Sequence, residues 1–197
     1  MATRVRLTAA ERRAAVLDTA CRVFYKSSYR GATTAEIARE SGVSEPILYR
    51  HFPSKRDLYL AVLDEAWERV REGWDTVVAN EPDPSLWIAA MGRAYLQSKD
   101  ERSQLAALWI QALNEAGHDP KIRRYLRDQV REVHDYVAGV IRRAQEAGGL
   151  VVDRDPEAEA WIFMSLGLLG TIDRRLGMVG EEFEGIFASR RTWMTVP

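Results

Sequence analysis

Between residues 33 and 52, TTAEIARESGVSEPILYRHF, the apolar positions fit two short helices joined by a tight turn. Ile37 and the small Ala38 face inward, and Val43, Leu48 and Phe52 complete the apolar set. Gly42 stands where the turn needs a residue free to take left-handed backbone. Thr33 with Glu36 predicts a capping box at the first helix, and Ser44 predicts a cap on the second. The spacing apolar–small–x3–Gly–apolar–x4–apolar predicts a helix-turn-helix, whose second helix enters the major groove of DNA.

The same patterning predicts helices through the rest of the chain. Thr8 and Glu11 form another capping box, followed by a stripe of Leu17, Ala20, Cys21 and Phe24; Tyr29 to Ala32 breaks that helix. Pro53 stops the second helix of the motif, and Ser54 with Asp57 opens a long one running into the seventies. Asp83-Pro84, Asp119-Pro120 and Asp155-Pro156 each set an N-cap aspartate before an N1 proline. The segments after these pairs share no further pattern, so no repeat is inferred. Asp100 predicts a cap for a helix over Gln104–Ala116, and Lys121–Ala147 predicts the longest helix of the body. Its stripe is Ile122, Leu126, Val130, Val133, Val137 and Ile141, and Gly148-Gly149 ends it. The expected fold is all-α: an N-terminal three-helix bundle over residues 1–54, joined by a long helix to a helical body over residues 55–197.

Charge adds a direction to this plan. Residues 1–60 hold 11 Lys+Arg against 6 Asp+Glu, leaving 17 against 23 in residues 61–197. A basic head on an acidic body suits a chain that meets phosphate at one end. The single cysteine, Cys21, permits no intrachain disulfide and lies on a core stripe. Residues 1–20 carry no signal-peptide pattern, and the longest uncharged apolar run, Ala160 to Ile172, is too short to span a membrane. A cytoplasmic protein is expected.

The compound motif GATTAEIARESGVSEPILYRHFPSKRDLYLAVL resembles the DNA-binding signature of the TetR family of bacterial transcriptional regulators. Its specific parts are Thr33-Thr34, the Gly42-Val43 turn, and Leu48-Tyr49-x-His51-Phe52 before x-Ser54-Lys55. The resemblance covers roughly residues 8–65; beyond them only helix number, helix lengths and size agree. It implies that Thr34 meets a phosphate, that Tyr49 and His51 contact phosphates or adjacent base edges, and that Lys55 binds phosphate. Ser44, Glu45 and Pro46 then open the recognition helix. It further implies a homodimer on a palindromic operator and a body cavity whose ligand weakens DNA binding.

The residues add detail. Burying Leu48 and Phe52 turns Glu45, Pro46, Tyr49 and Arg50 outward. Glu45 departs from the basic or neutral residue expected there. It either accepts from cytosine N4 or holds Arg50 or Arg39 in place. The candidate DNA-binding set is Thr33, Thr34, Ser44, Glu45, Pro46, Tyr49, Arg50, His51 and Lys55.

In the body, Trp87, Met91 and Tyr95 recur at i, i+4, i+8. With Trp109, His134 and Trp161 they are the candidates to line a ligand cavity, although such a stripe more often forms core. His134, beside Glu132 and Asp135, reads first as a satisfied or half-exposed histidine and only second as a ligand-binding or metal-binding one. The segment Ala160–Ile172 is apolar nearly all round and predicts a second buried side against a partner. Trp161, Ser165, Gly167 and Leu169, with Phe183 and Phe187 of the last helix, are the candidate dimer surface. No nucleophile elbow, HExxH helix or phosphate loop is present, so neither an enzyme nor a cofactor or metal is expected. The function read from the sequence is a ligand-responsive regulator, most simply a repressor; the alternative is a helical DNA-binding protein without an effector.

Overall fold

The structure is a computed structural model that describes residues 8–98, 105–177 and 182–195. The described residues form nine α-helices, α1 Ala9–Gly31, α2 Thr34–Glu40, α3 Glu45–His51, α4 Lys55–Asn80, α5 Trp87–Gln97, α6 Leu105–Ala116, α7 Pro120–Glu146, α8 Pro156–Leu176 and α9 Glu182–Met194. A 3-10 turn, Pro84–Leu86, precedes α5, and an isolated bridge joins Leu150 to Thr195. The all-α class holds. The predicted cap Asp100 and the predicted first helical residue Gln104 fall outside the described residues.

Two compact units are present. One gathers α1, α2, α3 and the first half of α4 with α6 and the first turn of α7. The other gathers the rest of α4, α5, the rest of α7, α8 and α9. Helix α4 is therefore not alone in contributing residues to both units, since α7 does so too.

In the first unit the predicted stripe of α1 is buried: Leu17, Ala20, Cys21 and Phe24 meet Ile37, Leu48, Leu58, Tyr59 and Leu108 in one core. The Thr8–Glu11 box is complete in both directions. Helix α1 breaks at Ser28, one residue before the predicted break, with φ 64 and ψ 172. A side chain there costs about 1–3 kcal/mol of backbone strain. Past this bend Tyr29 stacks on Phe24 at 6.2 Å and meets Tyr59 at 4.9 Å. Helix α6 is tied to this cluster: the buried Tyr59 hydroxyl donates to the Leu108 carbonyl, and Gln111 Nε2 donates to the Tyr25 carbonyl.

The second unit centres on Trp74. Its ring stacks on Tyr136 at 5.9 Å and meets Phe163 edge-on at 5.6 Å, while its indole N–H donates to the Met91 carbonyl. Gly149 has a packing reason: a Cβ there would lie 2.5 Å from the Ser85 nitrogen and 2.6 Å from the Pro84 carbonyl carbon. Among the described residues no helix is long and apolar enough to cross a membrane.

Candidate nucleic-acid interface and effector hollow

The turn between α2 and α3 forms as its residues dictate. Gly42 takes φ 72, and the Val43 N–H donates to the Ala38 carbonyl at 3.0 Å. Leu48 and Phe52 are buried, whereas Ser44, Pro46, Tyr49 and Arg50 are exposed. Thr33 caps α2 by accepting from the Glu36 N–H at 3.1 Å; the expected return bond from Glu36 is absent among the described contacts.

Ser44 holds the N-cap position of α3, but its hydroxyl makes no cap bond. The reason is chemical. Pro46, at N2, has no N–H to give. The Ile47 N–H at N3 is taken by the Ser44 carbonyl at 2.9 Å. The exposed hydroxyl is left for other partners.

Glu45 takes neither expected partner inside the chain. Arg39 pairs with Glu40 instead, and Arg50 has no ion pair among the described residues. The Thr34 hydroxyl donates to Glu45 Oε1 at 2.6 Å and lies 3.0 Å from the Tyr49 hydroxyl. Having one proton, Thr34 spends it on the carboxylate, so Tyr49 must donate to Thr34. A relay from Tyr49 through Thr34 to Glu45 thus spans α2 and α3, with Glu45 Oε2 outside it.

Lys55 begins α4 with its ammonium 4.8 Å above the Tyr29 ring. Burial pulls it below the usual lysine range, against the opposing pull of the Glu115 carboxylate. Burial, with the Asp119 charge second, raises the Tyr29 phenol. Nearby, Arg30 pairs with Glu115 at 2.9 Å and Arg56 with Asp119 at 2.9 Å. Asp119 also caps α7, accepting from Lys121 N–H at 2.8 Å. His51 is half-buried, its ring 6.4 Å from that of Phe52.

In the second unit two hollows open beside α5, α8 and α9. A narrow one of about 50 Å³ is walled by Ile88, Phe163, Leu166, Phe187 and Met194. A wider one of about 350 Å³ is bordered by Arg93, Leu96, Asp173, Arg174 and Arg191. None of the six residues expected to line a cavity lines either. Trp87, Met91 and Tyr95 point elsewhere: the Trp87 indole donates to the Glu81 carbonyl, Met91 is fully buried, and Tyr95 meets Trp74 at 6.3 Å. Trp109 is buried in the first unit, with the DNA-reading helices. The largest apolar signal on α5 goes to core, and the residues one step round the helix face the hollows.

His134 is buried against Trp161, ring centroids 4.3 Å apart, with acceptors at both nitrogens. The Glu157 backbone carbonyl lies 3.0 Å from Nε2 and the Asp135 carboxylate 3.0 Å from Nδ1. His134, Asp135 and Glu157 place ligand-type atoms within 4.8 Å of one another. The Arg142 guanidinium pairs with Glu157 Oε1, while Glu157 Oε2 lies 3.8 Å from His134 Nδ1.

Helix α8 leaves Trp161, Ile162, Ser165, Ile172 and Leu176 exposed along one side. Gly167 instead faces Tyr95 of its own chain, at 3.6 Å from a Cβ position, and Phe187 packs on Gly92. Leu169 is half-buried, and the side chain of Phe183 lies outside the described residues.

Comparison with known proteins agrees with this arrangement. The sequence profile described as "Bacterial regulatory proteins, tetR family" matches residues 16–62, which carry the helix-turn-helix. The profile "BetI-type transcriptional repressor, C-terminal" matches residues 84–167. The chain belongs to the TetR family. Among its relatives is the transcriptional activator FasR of Mycolicibacterium smegmatis, 36% identical over 99 residues, 50% of this chain and 45% of FasR. The chain thus spans about half the length of that relative. The probable regulator ArpR of Pseudomonas putida is 29% identical over 203 residues, covering 88% of this chain and 92% of ArpR. In fold, a TetR-family regulator from Rhodococcus sp. has a TM-score of 0.81 at 20% identity, covering 95% of this chain and all of that one. AibR in complex with isovaleryl coenzyme A and operator DNA has a TM-score of 0.60 at 22% identity, covering 80% of this chain and 84% of AibR.

Proposed function

We propose that this chain is a dimeric DNA-binding transcriptional repressor whose operator affinity falls when a small molecule enters its C-terminal unit. It acts in the cytoplasm and performs no catalysis. The observation that carries the reading is α3: Leu48 is fully buried while Ser44, Pro46, Tyr49 and Arg50 stay exposed beside a tethered Glu45. That is the surface of a helix held for a major groove. Residues 1–54 read DNA, with Tyr49, Arg50, His51 and Ser44 on backbone and Glu45 on a base; residues 55–197 hold the effector and dimerise, and Lys55 at their start adds a phosphate contact.

The exposed stripe on α8 supports the dimer, since Trp161, Ile172 and Leu176 are costly to leave in water. A dimer implies two half-sites about one helical turn apart, so the operator is palindromic. Release works by population shift: a ligand that binds the non-operator state better lowers operator affinity by that difference.

The full chain should be incubated with a random duplex library at fixed salt, and the bound sequences read. Enrichment of one palindrome, with sedimentation of a two-chain complex on it, is expected. Binding without sequence preference would instead support an architectural DNA-binding protein.

A further inference from the structure

The two hollows share Ala89, Phe187 and Arg191, so they adjoin as the two ends of one recess. The narrow end has apolar walls. Its about 50 Å³ is several times the roughly 10–15 Å³ that one water needs. Gly92 lies beside it: a Cβ there would stand 3.5 Å from the Phe187 ring and 3.6 Å from the Phe163 ring. Among the described residues the charged groups at this end are Glu159 and Arg190, which are paired with each other, and Arg191, which stands where the two hollows meet. Away from that junction the narrow end offers a ligand mainly apolar wall.

The wide end differs in both size and charge. Its about 350 Å³ falls at the lower edge of the roughly 300–1,000 Å³ typical of small-molecule sites. Among the described residues, Arg93, Arg174 and Arg191 border it against a single carboxylate, Asp173. The Arg174 guanidinium donates to the Leu96 carbonyl at 2.9 Å, which holds it at the rim. Arg93 and Arg191 have no ion-pair partner among the described residues. A guanidinium presents a planar fork that matches a carboxylate with two parallel bonds.

A quaternary ammonium would need aromatic faces and opposite charge around it. Here three of the four charged groups that the described residues bring to the wide end repel a cation.

We infer that the recess binds an anionic amphipath: an apolar chain lies in the narrow end between Phe163 and Phe187, and its carboxylate meets Arg93, Arg174 and Arg191. This rests on the ligand-responsive reading above and names the chemical class of its effector.

The test uses the full chain and three eight-carbon probes: octanoate, octanol and octyltrimethylammonium. Titration calorimetry should show octanoate binding at least tenfold more tightly than either other probe. Arg93→Gln with Arg191→Gln should weaken octanoate tenfold or more and leave octanol unchanged, while Arg93→Lys with Arg191→Lys should restore part of the loss. These side chains are exposed, so the variants should keep the parent unfolding temperature. Gly92→Leu, which crowds the Phe163 and Phe187 rings that wall the narrow end, should weaken octanoate and octanol together. Equal or tighter binding of the ammonium probe, absent octanoate binding, or an octanoate affinity indifferent to the arginine changes would each overturn the assignment. A separate readout is the affinity for the library-selected operator. Octanoate that binds through the arginines without altering it would uphold the site and refute the ligand-responsive reading alone.

Discussion

Replacing Thr34 with valine removes one hydroxyl while keeping the branched shape that fits its buried position. The hydroxyl is a donor to Glu45 Oε1 at 2.6 Å and an acceptor for Tyr49 at 3.0 Å. A hydrogen bond to a charged group contributes about 1.5–3 kcal/mol when well shielded. Glu45 is only half-buried, so the lower end applies. Freed of the relay, Glu45 and Tyr49 must be ordered on DNA, at about 0.5–1.5 kcal/mol for each side chain. The expected net loss is about 1–2 kcal/mol, or roughly 5–30-fold in operator affinity. Discrimination should weaken mainly at the base pair facing Glu45. The assay is competition binding over a library of single-base operator variants, comparing the parent, Thr34→Val and Thr34→Ser. Serine retains the hydroxyl and should stay near the parent. A uniform loss across all variants, with base preference unchanged, would refute the relay and make Thr34 a direct phosphate contact.

Other expectations follow from the same geometry. Lys55→Ala should weaken binding about equally on every sequence and reduce the salt slope by about one, as counted by affinity against log salt. Asp119 is held below the usual carboxylate range chiefly by its bond to Arg56. Its contribution is therefore complete above about pH 4 and lost as pH falls through the lower folded value, an acid-limb dependence that Asp119→Asn should remove from a melting series. Trp161→Glu with Leu176→Glu should dissociate the dimer in sedimentation and abolish operator binding while leaving the monomer helical by circular dichroism. Gly149→Ala puts a Cβ onto the backbone of Pro84 and Ser85 and should lower stability by about 1–3 kcal/mol in denaturant unfolding.

The reading motif was legible because its determinants are local. Gly42, Ile37, Ala38 and Leu48 act within a few residues of one another, and period and turn chemistry suffice to place them. The relay was not legible: Thr34, Glu45 and Tyr49 are 11 and 15 residues apart, and only the crossing of α2 with α3 joins them. Ser44 looked like an ordinary cap because cap preference is a property of single positions, whereas its failure here depends on the proline two residues on. The recess was missed for a different reason. Trp87, Met91 and Tyr95 are the strongest signal on α5, and strong apolar stripes are claimed first by core, here by Trp74. Ala89 and Arg93, on the neighbouring face, carry little signal alone. Arg93 acquires meaning only beside Arg174 and Arg191, which the chain supplies some eighty and a hundred residues later.

Pro46 has a consequence for how the recognition helix divides its loyalties. Pro46→Ala would return an N–H at N2, and Ser44 could then close the end of α3, stiffening it by up to about 1 kcal/mol. The same bond would turn the serine oxygen inward, away from any phosphate. Stability and reading therefore pull against each other at one residue, and a screen for heat resistance would drift toward alanine there while eroding promoter occupancy.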